Sequence, residues 1–274
     1  MQTAAEYKSV AEENGIAVNR DEKPSYYYAC RIDDAAHLLR MSYALRYQVY
    51  CEERGFLRAE NYPDKLESDI FDRHSLHFGV FDSAKELVAT ARFVQKSIIG
   101  LPLYQHCTLF AHELRLFGAD SRIAEVSRLS VSRGYRRRRG DGIYGLAENT
   151  MPYKGIDRRS GENAVFALYR SIYQVSKRSG ITHWLAATER SLQRLLARYG
   201  FPFRPIGPEA DYFGAVMPYA LVLKEFDEVI LECRVPELKE FLVGLEPEFH
   251  PHAAKSVSPA GCQVAGYDRE TTKR

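Results

Sequence analysis

The stretch Ile123-Ala124-Glu125-Val126-Ser127-Arg128-Leu129-Ser130-Val131 decides how this chain is read. Apolar and short polar residues alternate along it with the period of two that marks a β-strand. In a regular strand Glu125, Ser127, Leu129 and Val131 would point to one side, and Val126, Arg128 and Ser130 to the other. A carboxylate and a guanidinium on a strand otherwise suited to burial are costly unless they are paired or used. A structural ion pair and a place in a reacting site are both open at this point. The strand runs on into Arg133-Gly134-Tyr135-Arg136-Arg137-Arg138-Arg139-Gly140-Asp141-Gly142, with five arginines between Arg133 and Arg139. Backbone N–H groups freed by glycine, with arginine beside them, can cradle a phosphate or pyrophosphate. Such a run is also the composition of a solvated loop.

Upstream, His74–Phe81 and Leu87–Val94 read as two strands. The five-residue link Asp82–Glu86 predicts an antiparallel hairpin. Before them a helix is predicted from about Asp33 to Glu53, with Asp33 or Asp34 as its cap, Leu38, Leu39, Met41, Leu45, Val49 and Tyr50 on its apolar face, and Gly55 as its stop. Residues 104–118 read as an irregular helix. Downstream come a helix over 164–179, a strand over 182–187, a helix over 191–199 closed by Gly200, a strand region over 212–223, and a helical stretch over 225–242 broken near Pro236. Antiparallel strands followed by late β-α-β elements make an α+β plan. The expected domains are an N-terminal arm over 1–28, one catalytic domain over 29–246 with a long mobile loop at about 134–162, and a disordered tail over 247–274.

The net charge of +2 and the 45% hydrophobic content describe an ordinary globular chain, not one built as a whole to bind nucleic acid. The five cysteines are scattered with no CxxC spacing, so neither a zinc site nor a disulfide framework is suggested. No apolar leader and no run of 18 apolar residues is present, which predicts a cytoplasmic location. His74, His77, His106 and His112 lack the spacing of a helical metal pair and read as ordinary histidines. Cys107 has no context that would make it a nucleophile.

Asp69-Ile70-Phe71-Asp72 sets two carboxylates three residues apart before the first of the hairpin strands. With Arg46 on the helix and Arg92 on the second hairpin strand, an ionic cluster is expected. It would hold an amino-acid-like acceptor by its ammonium and carboxylate, or lock the helix to the sheet.

In order and approximate spacing, Arg46-x-x-Val49-Tyr50, Asp69-x-Phe71-Asp72, Arg92-Phe93 and Glu125-x-Ser127-Arg128-Leu129 resemble the acyl-homoserine-lactone synthases. The closer likeness is to the long-chain N-acyl amino acid synthases and the acyltransferases that accompany PEP-CTERM/exosortase systems, in which the Glu-x-Ser-Arg-Leu strand also leads into an arginine-rich stretch. The likeness covers roughly 30–245. It implies a GCN5-like acyltransferase fold: a central, mostly antiparallel twisted sheet flanked by helices, with splayed central strands that hold a thioester.

The same resemblance implies Glu125 and Arg128 as catalytic residues and Arg46, Asp69, Asp72 and Arg92 as acceptor-binding ones. The acyl donor would lie along Leu129, Val131, Arg133, Arg136, Arg137, Arg138, Arg139, Gly140 and Gly142. No permanently bound cofactor or metal is implied. Acyl-ACP, or acyl-CoA, would be the co-substrate, acyl carrier protein a partner and a small amine the acceptor, near a membrane surface. The lactone synthases carry a tryptophan in the loop after the first helix, where this chain has Phe56; its only tryptophan is Trp184. The region from Gly140 to Glu162 is also longer than theirs. Both differences point away from lactone formation and leave the acceptor open; an N-acyltransferase acting on an amine is the leading reading. O-acyl or lactone synthesis, or a non-catalytic acyl-ACP- or lipid-binding regulatory module, are the alternatives.

Overall fold

The computed structural model describes residues 27–82, 84–116, 122–135, 162–232 and 235–252. The basic residues Arg136, Arg137, Arg138 and Arg139, with Gly140, Gly142 and most of the expected loop, lie outside these, as do most of the expected arm and tail. The chain builds one mixed sheet in the order β1-β2-β3-β4-β5-β8-β6, with β7 also paired to β8. Its strands are β1 (Tyr28–Arg31), β2 (Ser75–Phe81), β3 (Leu87–Gln95), β4 (Ile123–Val131), β5 (His183–Thr188), β6 (Arg204–Pro205), β7 (Ala210–Asp211) and β8 (Ala215–Val222). Every pairing is antiparallel except that of β4 with β5. The α+β, GCN5-like architecture expected from sequence is the one found.

Helices cover both faces. Helix α1 (Ala36–Tyr47) continues as a π-helical turn, Gln48–Glu53, and packs on β3 and β4. Two short helices, α2 (Pro102–His106) and α3 (Ala111–Leu116), replace the single irregular helix expected over 104–118. Helix α4 (Glu162–Ser179) packs on β1, β2 and β3; α5 (Arg190–Arg198) and α6 (Leu223–Glu232) complete the set. Val165, Leu168, Tyr169, Ile172 and Tyr173 recur at helical spacing on α4 and enter the main core with Phe78, Phe93, Val126, Trp184 and Phe226. The Trp184 Nε1–H donates to Ser176 Oγ at 2.8 Å and ties α4 to β5 without leaving the indole unsatisfied.

One expectation about α1 is corrected. Neither Asp33 nor Asp34 caps it: Ala35 is the N-cap, with no side-chain bond. Asp33 instead accepts from Arg31 Nε at 2.9 Å and from the His77 backbone N–H at 2.8 Å, because the turn after β1 aims it at β2. The helical region does end where Gly55 allows it, at φ +61°, a conformation that costs glycine no steric penalty. At the other end of the chain, the stretch after Pro236 tightens into a 3-10 helix, Pro236–Leu242, because proline cannot continue α6. The part of the expected tail nearest the domain is ordered as a 3-10 turn over Pro247–Phe249. Among the described residues no helix is long and apolar enough to cross a membrane.

Candidate active site

Strands β4 and β5 are paired only at Ile123–Glu125 with His183–Leu185. Beyond Glu125 they part, and the sheet opens between them. Against β3 the register slips at the same place: Arg92 faces Ser127 and Thr90 faces Ser130, so three residue steps on β4 answer two on β3. This is a β-bulge, and Arg128 takes it up at φ +53°. A non-glycine residue there costs on the order of 1–3 kcal/mol, a strain concentrated at functional sites.

The bulge changes which way the side chains face. Regular alternation would have sent Arg128 into the apolar core beneath α4. The bulge turns it to the face of Glu125 and Ser127, so the expectation that Arg128 and Glu125 point to opposite sides is corrected. The two do not pair either. Arg128 Nε lies 3.1 Å from Glu67 Oε1 and its Nη2 3.2 Å from Asp69 Oδ2. Glu125 accepts the Leu103 N–H at 2.8 Å, at the first turn of α2.

The structure brings Arg46, Asp69, Asp72 and Arg92 together. Arg46, 1% exposed, grips Asp72 with both terminal nitrogens, at 2.6 and 3.1 Å, and reaches Glu67 Oε2 with Nε at 2.5 Å. Arg92, fully buried, donates from Nη1 to Asp69 at 2.5 Å and from Nε to Ser127 Oγ at 3.1 Å, while its Nη2 finds no partner among the described residues. His77, expected to be ordinary, is buried here and bridges Asp33 Oδ1 at 3.0 Å and Asp72 Oδ1 at 2.9 Å. Three guanidinium groups thus meet three carboxylates, with His77 and Asp33 beside them. Glu67, wholly buried between Arg46 and Arg128, was not singled out from the sequence. It sits in a polar loop whose composition gives no sign of burial.

Charge matching fixes the protonation states. Burial opposes ionisation of Asp72, but the His77 hydrogen bond and Arg46 outweigh it and hold the carboxyl well below the usual range. Glu67 is likewise held low, by Arg46 and Arg128 acting against burial. Burial lowers the basicity of His77, yet its hydrogen bonds to Asp33 and Asp72 raise it overall. Glu125 goes the other way. Burial pushes it up to about 7, against the Leu103 N–H and the fields of Arg92 and Arg128. It is the one carboxyl of this group poised to exchange a proton near neutrality.

Beside the bulge lies a cavity of about 390 Å³ lined by Gly55, Phe56, His106, Asp211, Tyr212, Phe213 and Gly214. The His106 ring stacks on Tyr212 with centroids 4.0 Å apart, and the Arg128 guanidinium lies over Tyr50 and Phe213 at 5.3 and 5.6 Å. Burial raises the pKa of the Tyr212 hydroxyl, with the Arg128 charge lowering it and the Glu125 charge raising it. Gly214, at φ +106°, lets Phe56 approach; a Cβ there would sit 3.1 Å from the ring. The residues expected to hold the donor divide. Leu129 and Val131 bury their side chains in the main core, so only their main chain can face a ligand. Arg133 is exposed in a 3-10 turn, and the other arginines and glycines lie outside the described residues.

Residues 45–144 match the family of acetyltransferase (GNAT) domains. The match spans a little over a third of the chain, and with the fold and the opened β4–β5 pair it gives the class this region resembles, a GNAT-type acyltransferase domain. Solved structures similar to this chain include the following two. FeeM, an N-acyl amino acid synthase from uncultured soil microbes, is 16% identical with a TM-score of 0.53, over 74% of this chain and 94% of that one. BjaI, a CoA-dependent acyl-homoserine lactone synthase solved with SAM and isopentyl-CoA, is 16% identical with a TM-score of 0.52, over 80% of this chain and 99% of that one. At such identity the likeness is one of fold. No curated protein matches the sequence.

Proposed function

We propose that this acyltransferase moves a fatty acyl group from an acyl thioester, with acyl-ACP as the donor, to the amino group of a small acceptor such as an amino acid. The observation that carries the reading is Glu125: a buried carboxyl held near neutrality at the point where β4 and β5 separate, on the face to which the bulge turns Arg128. The thioester lies in the gap between the strands. Glu125 accepts the proton of the acceptor's ammonium, directly or through water. The free amine attacks the thioester carbonyl, and main-chain N–H groups at the bulge stabilise the tetrahedral oxyanion. Its collapse expels the thiol and leaves the amide, so no covalent enzyme intermediate is needed.

The ionic cluster serves mainly as a lock. Arg46, Glu67 and Asp72 satisfy one another and have little left for a ligand. Asp69 is the member with exposure to spare, its side chain 26% exposed, and it is the residue we assign to the acceptor's ammonium. The unpartnered Arg92 Nη2 behind it supplies a donor for the acceptor's carboxylate. The neighbour described as an N-acyl amino acid synthase is a precedent for such an acceptor on this fold. The reading is tested by incubating the protein with acyl-ACP or acyl-CoA and a panel of amines and amino acids while following thiol release. Release that requires the amine, with the amide found by mass spectrometry, is the expected result. Release driven only by hydroxyl acceptors would replace N-acylation by O-acylation, and binding without turnover would remove the enzymatic reading.

A further inference from the structure

A second cleft, of about 400 Å³, lies away from the reacting centre and is lined by Arg31, Arg73, His74, Lys96 and Ser97, with Asp33 in its wall. Gln95 pairs with Ala124, so the cleft sits at the end of the sheet where β4 begins, whereas the β4–β5 gap opens towards the other end. Two independent features mark it as unfinished. Arg73 and Lys96 are exposed cations that form no ion pair among the described residues, although Arg31 beside them is held by Asp33 at 2.9 Å. The Ser97 hydroxyl is buried and finds no hydrogen-bond partner among the described residues. A buried hydroxyl without a partner is unfavourable, and an oxyanion held by the neighbouring cations would satisfy it.

The geometry points to a site for a phosphate-bearing small anion in this cleft, connected to the acyl-transfer centre through Asp33, His77 and Asp72. Arg31, Arg73 and Lys96 would hold the phosphate oxygens and Ser97 would donate to one of them. The connection is a chain of bonds. Asp33 takes Arg31 on one oxygen and His77 Nδ1 on the other, and His77 Nε2 meets Asp72, which is gripped by Arg46 and lies 3.3 Å from Arg92. An anion that draws Arg31 from Asp33 therefore alters the partner of His77. The groups facing His77 are Asp33, Asp72, the edge-on Tyr43 ring and the Arg46 charge. The proposal stands whatever the acyl donor and acceptor prove to be.

Inorganic pyrophosphate is the probe, titrated into the full-length protein and followed by calorimetry and by the His77 ring signals in NMR. Saturable binding is expected, weakened at least about tenfold in the Arg73→Ala/Lys96→Ala double variant, whose thermal unfolding midpoint should match wild type because both side chains are exposed. Equal binding by the double variant would overturn the site. So would the same response to sodium chloride at matched ionic strength, which would reduce it to charge screening. Inorganic phosphate run in parallel separates recognition of one phosphate group from recognition of two. His77 signals should move with occupancy in wild type and stay fixed in Asp33→Asn; binding that leaves them unmoved in wild type would overturn the connection.

Discussion

Glu125 and Arg128 stand three residues apart on one strand and end on the same face of the sheet without forming an ion pair. The bulge turns Arg128 towards Glu67 and Asp69, and Glu125 is left with the Leu103 N–H and a pKa near 7. Had the two paired, Glu125 would be locked in its ionised form and could not take up a proton at neutral pH. The lack of an ion pair leaves it able to serve as the base proposed above.

Glu125→Gln should therefore lower turnover by about 10²–10⁴ and abolish an acid limb near pH 7 in kcat/KM. It should also stabilise the protein. A carboxyl raised from 4.5 to about 7 holds a proton in the native state that the unfolded chain has lost. Stability accordingly falls as pH rises from 4.5 to 7, by about 3 kcal/mol in all. Chemical denaturation at pH 8 should show the variant more stable than wild type. A loss of both activity and stability would make Glu125 a structural residue.

Arg46→Ala should cost about 3–5 kcal/mol, since it breaks buried ion pairs with two carboxylates at once and leaves Glu67 to Arg128 and Asp72 to His77 and Arg92. Asp69→Asn removes a partly exposed carboxylate instead, so the expected result is a higher KM for the amine with a smaller change in unfolding free energy. Denaturation curves and acceptor kinetics on the two variants separate the lock from the binding group.

The network's pH window follows from its shifts. Asp72, held low in the folded state, contributes stability above about pH 4 that is lost as pH falls further. His77, raised in the folded state, contributes fully below about pH 6.5, and its share is lost as pH rises through its folded value. Stability measured from pH 3 to 9 should fall off on both sides. Asp72→Asn should flatten the acid side, and His77→Gln should reduce the alkaline loss that remains once Glu125→Gln has removed its own.

The strands and their hairpin were legible because apolar alternation and a short polar link leave few other arrangements; β4 runs over the expected 123–131. The meeting of Arg46, Asp69, Asp72 and Arg92 was legible because charges set among apolar residues must find partners. Arg128's direction was not. No glycine marks the bulge, and a left-handed arginine is imposed by the surroundings, not by local sequence. Glu67 was hidden by a loop that reads as solvated. His106, Tyr212 and Phe213 form one cavity wall from segments more than 100 residues apart, a contact that no local pattern encodes.

The donor prediction rests on the arginines that follow β4. Arg133 begins the run at the end of the strand that borders the gap, and Arg136 to Arg139 continue it in sequence. Carrier proteins are strongly acidic, and the run is longer than a single pyrophosphate can engage, which favours acyl-ACP over acyl-CoA. Association steered by these charges should weaken as salt rises. Changing Arg136, Arg137 and Arg138 together to Ala should raise the KM for acyl-ACP far more than that for acyl-CoA, with kcat at saturation little altered. Equal losses on both donors would mean that the arginines bind a phosphate common to the two. No loss on either would leave the run a solvated loop, and the carrier protein would then have to be recognised elsewhere on the surface.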